Sequence, residues 1–167
     1  LVVLANGFEE IEAVVPIDIC RRANMSVTVA ALDNLTVVAA HDIKIQADVL
    51  LKDVQYQVFD VIILPGGDPG TSNLEKSDLV KEIVMTQFRS GRMIAAICAS
   101  PRILEGYGLL RGRTATCYPG TKPKMQSCNL VDDPVVVDGN ILTSQAPGTA
   151  MAMSYKIVEI LQSPSLS

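Results

Sequence analysis

The chain has 167 residues, 49% of them hydrophobic, and a formal net charge of −4 at pH 7. A chain of this length buries about two thirds of the surface it exposes when unfolded, so a core needs no disulfide support. Its basic residues are scattered and no apolar run approaches the ~20 residues that span a bilayer, which argues against nucleic-acid and membrane partners. The four cysteines, Cys20, Cys98, Cys117 and Cys128, fall into no metal-ligand spacing, and there is one histidine, His41; neither a metal nor a cofactor is expected. Free thiols predict an intracellular, reducing compartment: the cytoplasm, or a plastid if a transit peptide was removed from a chain that does not begin with Met. Residues 1–162 read as a single domain and 163–167 as a frayed tail.

Leu1-Val2-Val3-Leu4-Ala5 is a continuous apolar run of the kind buried on both faces of a parallel sheet, and Asn6-Gly7 closes it. From Glu9 to Ala23 apolar residues recur broadly on one helical face, with carboxylates in the first turns and Arg21-Arg22 in the last, as the helix dipole favours. Pro16 predicts a kink or one lost hydrogen bond there. Ser26 to Leu32 and Leu35 to Ala39 read as strands around the turn Asp33-Asn34, and Ile43 to Ile45 as a short strand. Val58 to Leu64 has the strongest strand pattern and stops at Pro65-Gly66-Gly67. Between Ser77 and Phe88, Leu79, Val80, Ile83, Val84 and Phe88 keep helical spacing and leave Lys81, Glu82 and Gln87 for solvent. Met93 to Ile97 is a strand that runs into Cys98, and Ala99-Ser100-Pro101 opens a helix, because proline is tolerated in a first turn. Arg113 to Cys117 and Val135 to Val137 look extended; Asp138-Gly139-Asn140 can close a hairpin with Ile141 to Ser144, and Thr149 to Leu161 is an apolar helix. Strands alternating with helices imply an α/β fold with an open, mostly parallel sheet covered on both sides.

Cys98 is the focus of this pattern. At a strand-to-helix turn, unpaired N–H groups and the helix dipole favour the thiolate, the reactive form of cysteine. Local context alone supports equally a small buried hydrophobe. Topology favours the reactive reading, because Cys98, Gly66-Gly67 and Gly7 all fall at carboxyl ends of strands, where such sheets bind ligands.

Four segments, Asn6-Gly7-Phe8-Glu9-Glu10-Ile11-Glu12-Ala13, Leu64-Pro65-Gly66-Gly67, Ala95-Ala96-Ile97-Cys98-Ala99-Ser100-Pro101 and Leu142-Thr143-Ser144-Gln145-Ala146-Pro147-Gly148-Thr149, together resemble the ThiJ/PfpI superfamily. They cover nearly the whole chain in order, and the wording is similar to the Parkinsonism-associated deglycase branch and its plant members. The resemblance implies a flavodoxin-like (class I glutamine amidotransferase-like) three-layer sandwich, a homodimer, and a cysteine on a nucleophile elbow with a first-helix glutamate beside it. The matching glutamate is Glu12, which is then expected to be protonated at neutral pH, to donate a hydrogen bond to the sulfur and to shuttle protons. Glu10 is left to complement the helix dipole, and for Glu9 both readings stay open. Gly66-Gly67 is a tight turn in its own right; the resemblance adds an oxyanion hole formed by the Gly67 and Ala99 amides.

The chain also departs from the family. A histidine often stands directly after the cysteine or in the segment matching Thr116-Cys117-Tyr118-Pro119, and here Ala99 and Tyr118 occupy those places. Tyrosine, with a reference pKa of about 10, is a poor base at neutral pH, so acid-base work falls on Glu12. His41 falls where relatives carry a basic residue near the dimer interface, and reads either as reaching the partner's pocket or as a solvated loop residue. Cys117 lines the pocket or fills the core, and Gly66, Glu9 and Pro147 complete the candidate pocket. Cys20 reads as packing and Cys128 as an adventitious oxidation site.

The function implied is a cysteine-dependent, glutathione-independent glyoxalase or deglycase acting on small reactive carbonyls such as methylglyoxal, or on early glycation adducts. An alternative is a redox-sensing protective or chaperone-like protein whose exposed, low-pKa Cys98 oxidises to the sulfinate. A noncatalytic interaction domain, to which Tyr118 points, is a third reading, and a cysteine peptidase-like hydrolase is weakened by the lack of a histidine next to Cys98.

Overall fold

The computed structural model describes residues 1–163, so of the tail expected at 163–167 only Ser163 is described. In chain order the regular elements are β1 (Val2–Leu4), α1 (Glu10–Arg22), β2 (Val29–Ala31), β3 (Thr36–Val38), β4 (Lys44–Gln46), β5 (Val49–Leu50), β6 (Val61–Leu64), α2 (Gly70–Glu75), α3 (Asp78–Arg89), β7 (Met93–Ile97), α4 (Pro101–Gly106), β8 (Thr114–Ala115), β9 (Asn129–Leu130), β10 (Val135–Asp138), β11 (Ile141–Ser144) and α5 (Ala150–Gln162). Seven strands form one sheet in the spatial order β10-β11-β7-β6-β1-β2-β5. All its pairings are parallel except the β10–β11 hairpin.

The sheet is covered on both faces, which is why its central strands are apolar without alternation. Val3, Ile62, Leu64, Ile94 and Ala96 point to one core, shared with Leu74 of α2, Val80 and Val84 of α3 and Leu104 of α4. Their chain neighbours Val2, Leu4, Ile63, Ala95 and Ile97 point to the other, shared with Ala13 and Cys20 of α1 and Met153 and Ile157 of α5. The period of two along each strand thus divides its residues between two helical layers. The result is the flavodoxin-like three-layer α/β sandwich.

Helix α1 starts from Glu9, whose carboxylate accepts from the Ile11 N–H (3.3 Å), and runs through Pro16 to Arg22. β2 and β6 are shorter than their apolar runs; the expected strand at Val58 begins only at Val61, since Val58 lies exposed before the sheet. β3 and β4 pair with each other as an antiparallel hairpin apart from the main sheet. Gln87 is corrected from a solvent position to a buried one: its Nε2 donates to the Phe59 and Met93 carbonyls (2.9 and 3.0 Å). An amide can donate to both carbonyls, which an apolar side chain cannot do.

Candidate active site

β7 delivers Cys98 into a sharp turn with φ +66°, a left-handed conformation that side-chain-bearing residues rarely adopt. Hydrogen bonds hold the turn from three sides. The Cys98 N–H donates to Ser144 O at the end of β11 (2.9 Å), and Cys98 O accepts from the Tyr118 N–H (2.8 Å). The buried Ser100 hydroxyl accepts from the Ile97 N–H (2.9 Å) and donates to Leu64 O at the end of β6 (2.7 Å). Pro101 then opens α4. These bonds offset the backbone strain of a non-glycine residue in this region, which is of order 1–3 kcal/mol.

Opposite the elbow lies the turn after β6. A Cβ on Gly66 would stand 2.6 Å from Glu12 Oε2 and 2.8 Å from Cys98 Cβ, so only glycine lets the carboxyl and the cysteine close on this point. The Gly66 N–H donates to Glu12 Oε2 (2.7 Å) across 54 positions of sequence. Gly67 has φ +83°, and a Cβ there would come within 2.4 Å of the Glu9 nitrogen. Its carbonyl accepts from both the amide and the hydroxyl of Thr71 (2.8 Å each), which fixes the plane of the turn.

Glu12 is fully buried, and Cys98 retains 9% of its surface. Burial pushes the Glu12 carboxyl up to about 7, against opposing hydrogen bonds with the Cys98 side chain and the Gly66 amide. Its Oε1 has no hydrogen-bond partner among the described residues. Burial, the charge of Glu12 and the hydrogen bond to it push the thiol up, while the Ala99 and Gly67 amides pull it down. An exposed thiol of lowered pKa was the expectation from sequence; the side chain is instead nearly enclosed, and its acidity depends on which of the two groups carries their common proton. The two titrate as a pair, with neither value belonging to one residue alone. Once Glu12 is protonated the charge that opposes the thiolate is gone, and the two amides remain.

Cys98, Glu12, Gly66, Gly67 and Ala99 therefore meet in one cluster. Glu9 donates its N–H to Gly66 O (2.9 Å), with its carboxylate capping α1. Tyr118 is tied to the elbow through its backbone, its ring half exposed. Cys117 is buried in the core behind it, and burial raises its thiol to about 11. Pro147 lies half-buried in the turn after β11.

His41 is exposed on the β3–β4 turn and engages Glu10, which accepts from the His41 N–H (2.6 Å) and lies 2.9 Å from its Nδ1. This corrects the reading of Glu10 as a mere complement to the helix dipole: it is buried and paired. Burial pushes the Glu10 carboxyl up, but the hydrogen bonds with His41 outweigh this and hold it below its ordinary value. His41 is raised in turn by that bond. Glu9, Glu10 and His41 bring one ligand-type atom each within 4.8 Å of one another, but internal hydrogen bonds and ion pairing account for the grouping.

Sequence reasoning did not single out a buried ion pair next to these turns. Arg102, buried to 7% exposure, forks onto both oxygens of Asp68 (2.9 Å each), bonds Ser72 Oγ (2.9 Å) and reaches Glu75 (3.3 Å). The available signal was an acid directly after Gly66-Gly67 and a base directly after Ser100-Pro101.

The sequence profile of the DJ-1/PfpI family matches residues 1–160. Protein DJ-1 homolog B of Arabidopsis thaliana is 45% identical over 164 residues, which are 96% of this chain but 37% of that protein, so the chain spans little more than a third of its length. The glutathione-independent glyoxalase DJR-1.2 of Caenorhabditis elegans is 40% identical over 93% of this chain and 84% of its own length. The crystal structure of Drosophila melanogaster DJ-1beta superposes with a TM-score of 0.94 at 41% identity, covering 98% of this chain and 89% of that one.

Proposed function

Because the chain belongs to the DJ-1/PfpI family, we propose that it is a cysteine-dependent, glutathione-independent enzyme acting on methylglyoxal-like dicarbonyls or early glycation adducts. What supports this reading above all is the meeting of Glu12, held by burial near neutrality, with a thiol on which the Gly67 and Ala99 amides also act. The 40% identical relative described as a glutathione-independent glyoxalase supports the reaction class.

In this mechanism Cys98 gives its proton to Glu12, and the sulfur attacks the aldehyde carbon. A C–S bond forms, the carbonyl electron pair moves onto oxygen, and the oxyanion faces the Gly67 and Ala99 amides. Protonation gives a hemithioacetal. Glu12 then moves a proton from the former aldehyde carbon to the neighbouring carbon while the hydroxyl proton passes to the former ketone oxygen, leaving the thioester of a 2-hydroxy acid. Water cleaves the thioester, releasing the acid and the thiol. The aldehyde carbon is oxidised and the ketone reduced within one molecule, so the balance needs water alone. Purified protein is expected to convert methylglyoxal to lactate, with Cys98→Ala abolishing turnover and Glu12→Gln lowering it by about 10²-fold or more; no lactate at millimolar substrate overturns the assignment.

Redox sensing is the second reading, favoured by the engagement of the sole histidine with Glu10 rather than the sulfur. A protonated Glu12 would donate to a sulfinate oxygen as readily as to sulfur. Two oxygens added at Cys98 after mild peroxide, in protein that makes no lactate, select this reading. The same lack of a histidine beside the thiol disfavours peptidase chemistry. The cysteines are free, in keeping with a reducing compartment. Among the described residues no helix is long and apolar enough to cross a membrane. Self-association as a homodimer is part of the proposal, supported by apolar side chains exposed on α1 and α5.

A further inference from the structure

Arg102 is nearly enclosed yet carries a full charge, which is costly unless the surrounding partners are fixed. It satisfies that demand with a bidentate fork to Asp68, whose Oδ1 also accepts from the Ser72 hydroxyl (2.9 Å) and N–H (3.3 Å). The positions of the two partners along the chain matter more than the bond itself. Asp68 directly follows Gly67. Arg102 lies three residues past Ala99 and donates its own N–H to the Ala99 carbonyl (3.3 Å). The fork therefore joins the turn that carries one sulfur-facing amide to the turn that carries the other.

We propose that Arg102 is a positioning residue: by clamping Asp68 it sets the separation of the Gly67 and Ala99 amides across Cys98. This rests on the reading of those amides as the groups that act on the sulfur. Ser100 ties the same two turns from below, through Leu64 O, so the elbow is bolted at its base by a hydroxyl and at its rim by a guanidinium. A planar fork fixes both distance and orientation, which a lysine ammonium cannot do. Donors aimed at a developing charge lose much of their effect when displaced by even a fraction of an ångström. A merely structural ion pair between the turn before α2 and α4 would leave the sulfur indifferent to its removal.

The test is the pH profile of Cys98 alkylation by iodoacetamide, followed by mass spectrometry of the Cys98 peptide, in Arg102→Lys, Asp68→Asn and the double variant. Asp68→Asn replaces a half-exposed carboxylate by its isostere and keeps a folded variant in the set, as checked by circular dichroism. Each single variant is expected to move the midpoint up by ~0.5 unit, about a threefold loss of thiolate at a given pH. The double variant is expected to move it no further than either single one. Where turnover is measured, kcat falls and KM changes less. An unshifted midpoint in folded variants, a shift to lower pH, or additive shifts overturn the proposal. Alkylation needs no catalysis, so this outcome is separate from whether the protein makes lactate.

Discussion

Glu12 gives the site a pH signature that can be read on stability. Its carboxyl is raised to about 7 in the folded chain, against an ordinary value of 4.5. Between those values the folded state holds the proton more tightly than the unfolded one, so the contribution of Glu12 is fully present below about pH 4.5 and is lost as pH rises towards 7. The loss is of order 3 kcal/mol at most, because coupling to Cys98 shares it between two groups. Glu12→Gln is expected to remove this slope and to be more stable than the parent at pH 8, measured by urea titration across pH 4–8; a variant with the same slope contradicts the origin assigned to it. The residues of this cluster were unequally legible in the sequence. The small residues around Cys98 and the proline after them already imply a sharp bend. Nothing local in Glu9-Glu10-Ile11-Glu12 distinguishes the buried acid from its neighbours, because its partners, Gly66 and Cys98, lie far along the chain. Only the family resemblance singled it out. Arg102 and Asp68 had only their places beside the two turns to mark them: each is an ordinary surface residue type until the fold apposes them.

Elements with a strong period could be read directly, and those whose existence depends on a neighbour could not. β7 and α3 follow from continuous apolar burial and from helical spacing respectively. β5, β8 and β9 are two residues each, too short to carry any hydrophobic period, and they exist because another strand offers its edge. Gln87 shows the same dependence within a helix. Its position on the period predicts solvent, but the buried amide donates to two carbonyls at the start of the β6 and β7 region. Gln87→Leu is expected to cost about 1–3 kcal/mol by removing both buried hydrogen bonds, measured by chemical denaturation. A cost near zero would mean that water replaces the amide there.

At the scale of the whole molecule, the two helical layers differ in how they meet solvent. α1 and α5 pack side by side and leave Ile11, Val14, Met151 and Tyr155 exposed, an apolar surface of the kind that marks association. The isolated chain is expected to sediment as a dimer, and Ile11→Asp to shift it towards monomer; a parent that sediments as a monomer throughout the micromolar range rejects the dimer. The sandwich itself was readable from the alternation of strands and helices, whereas a face for self-association is not written in any periodicity. The joining of Glu12, Gly66 and Cys98 bears also on time. The helix, the glycine turn and the elbow are synthesised one after another, and no two of them are neighbours in the chain. Until the first helix has docked and β6 has paired with β7, Cys98 has neither its acid nor its amides and behaves as any cysteine does. The chemistry proposed for Cys98 can begin only when the last of these parts arrives, so on that proposal the alkylation rate of this one sulfur reports that folding is finished.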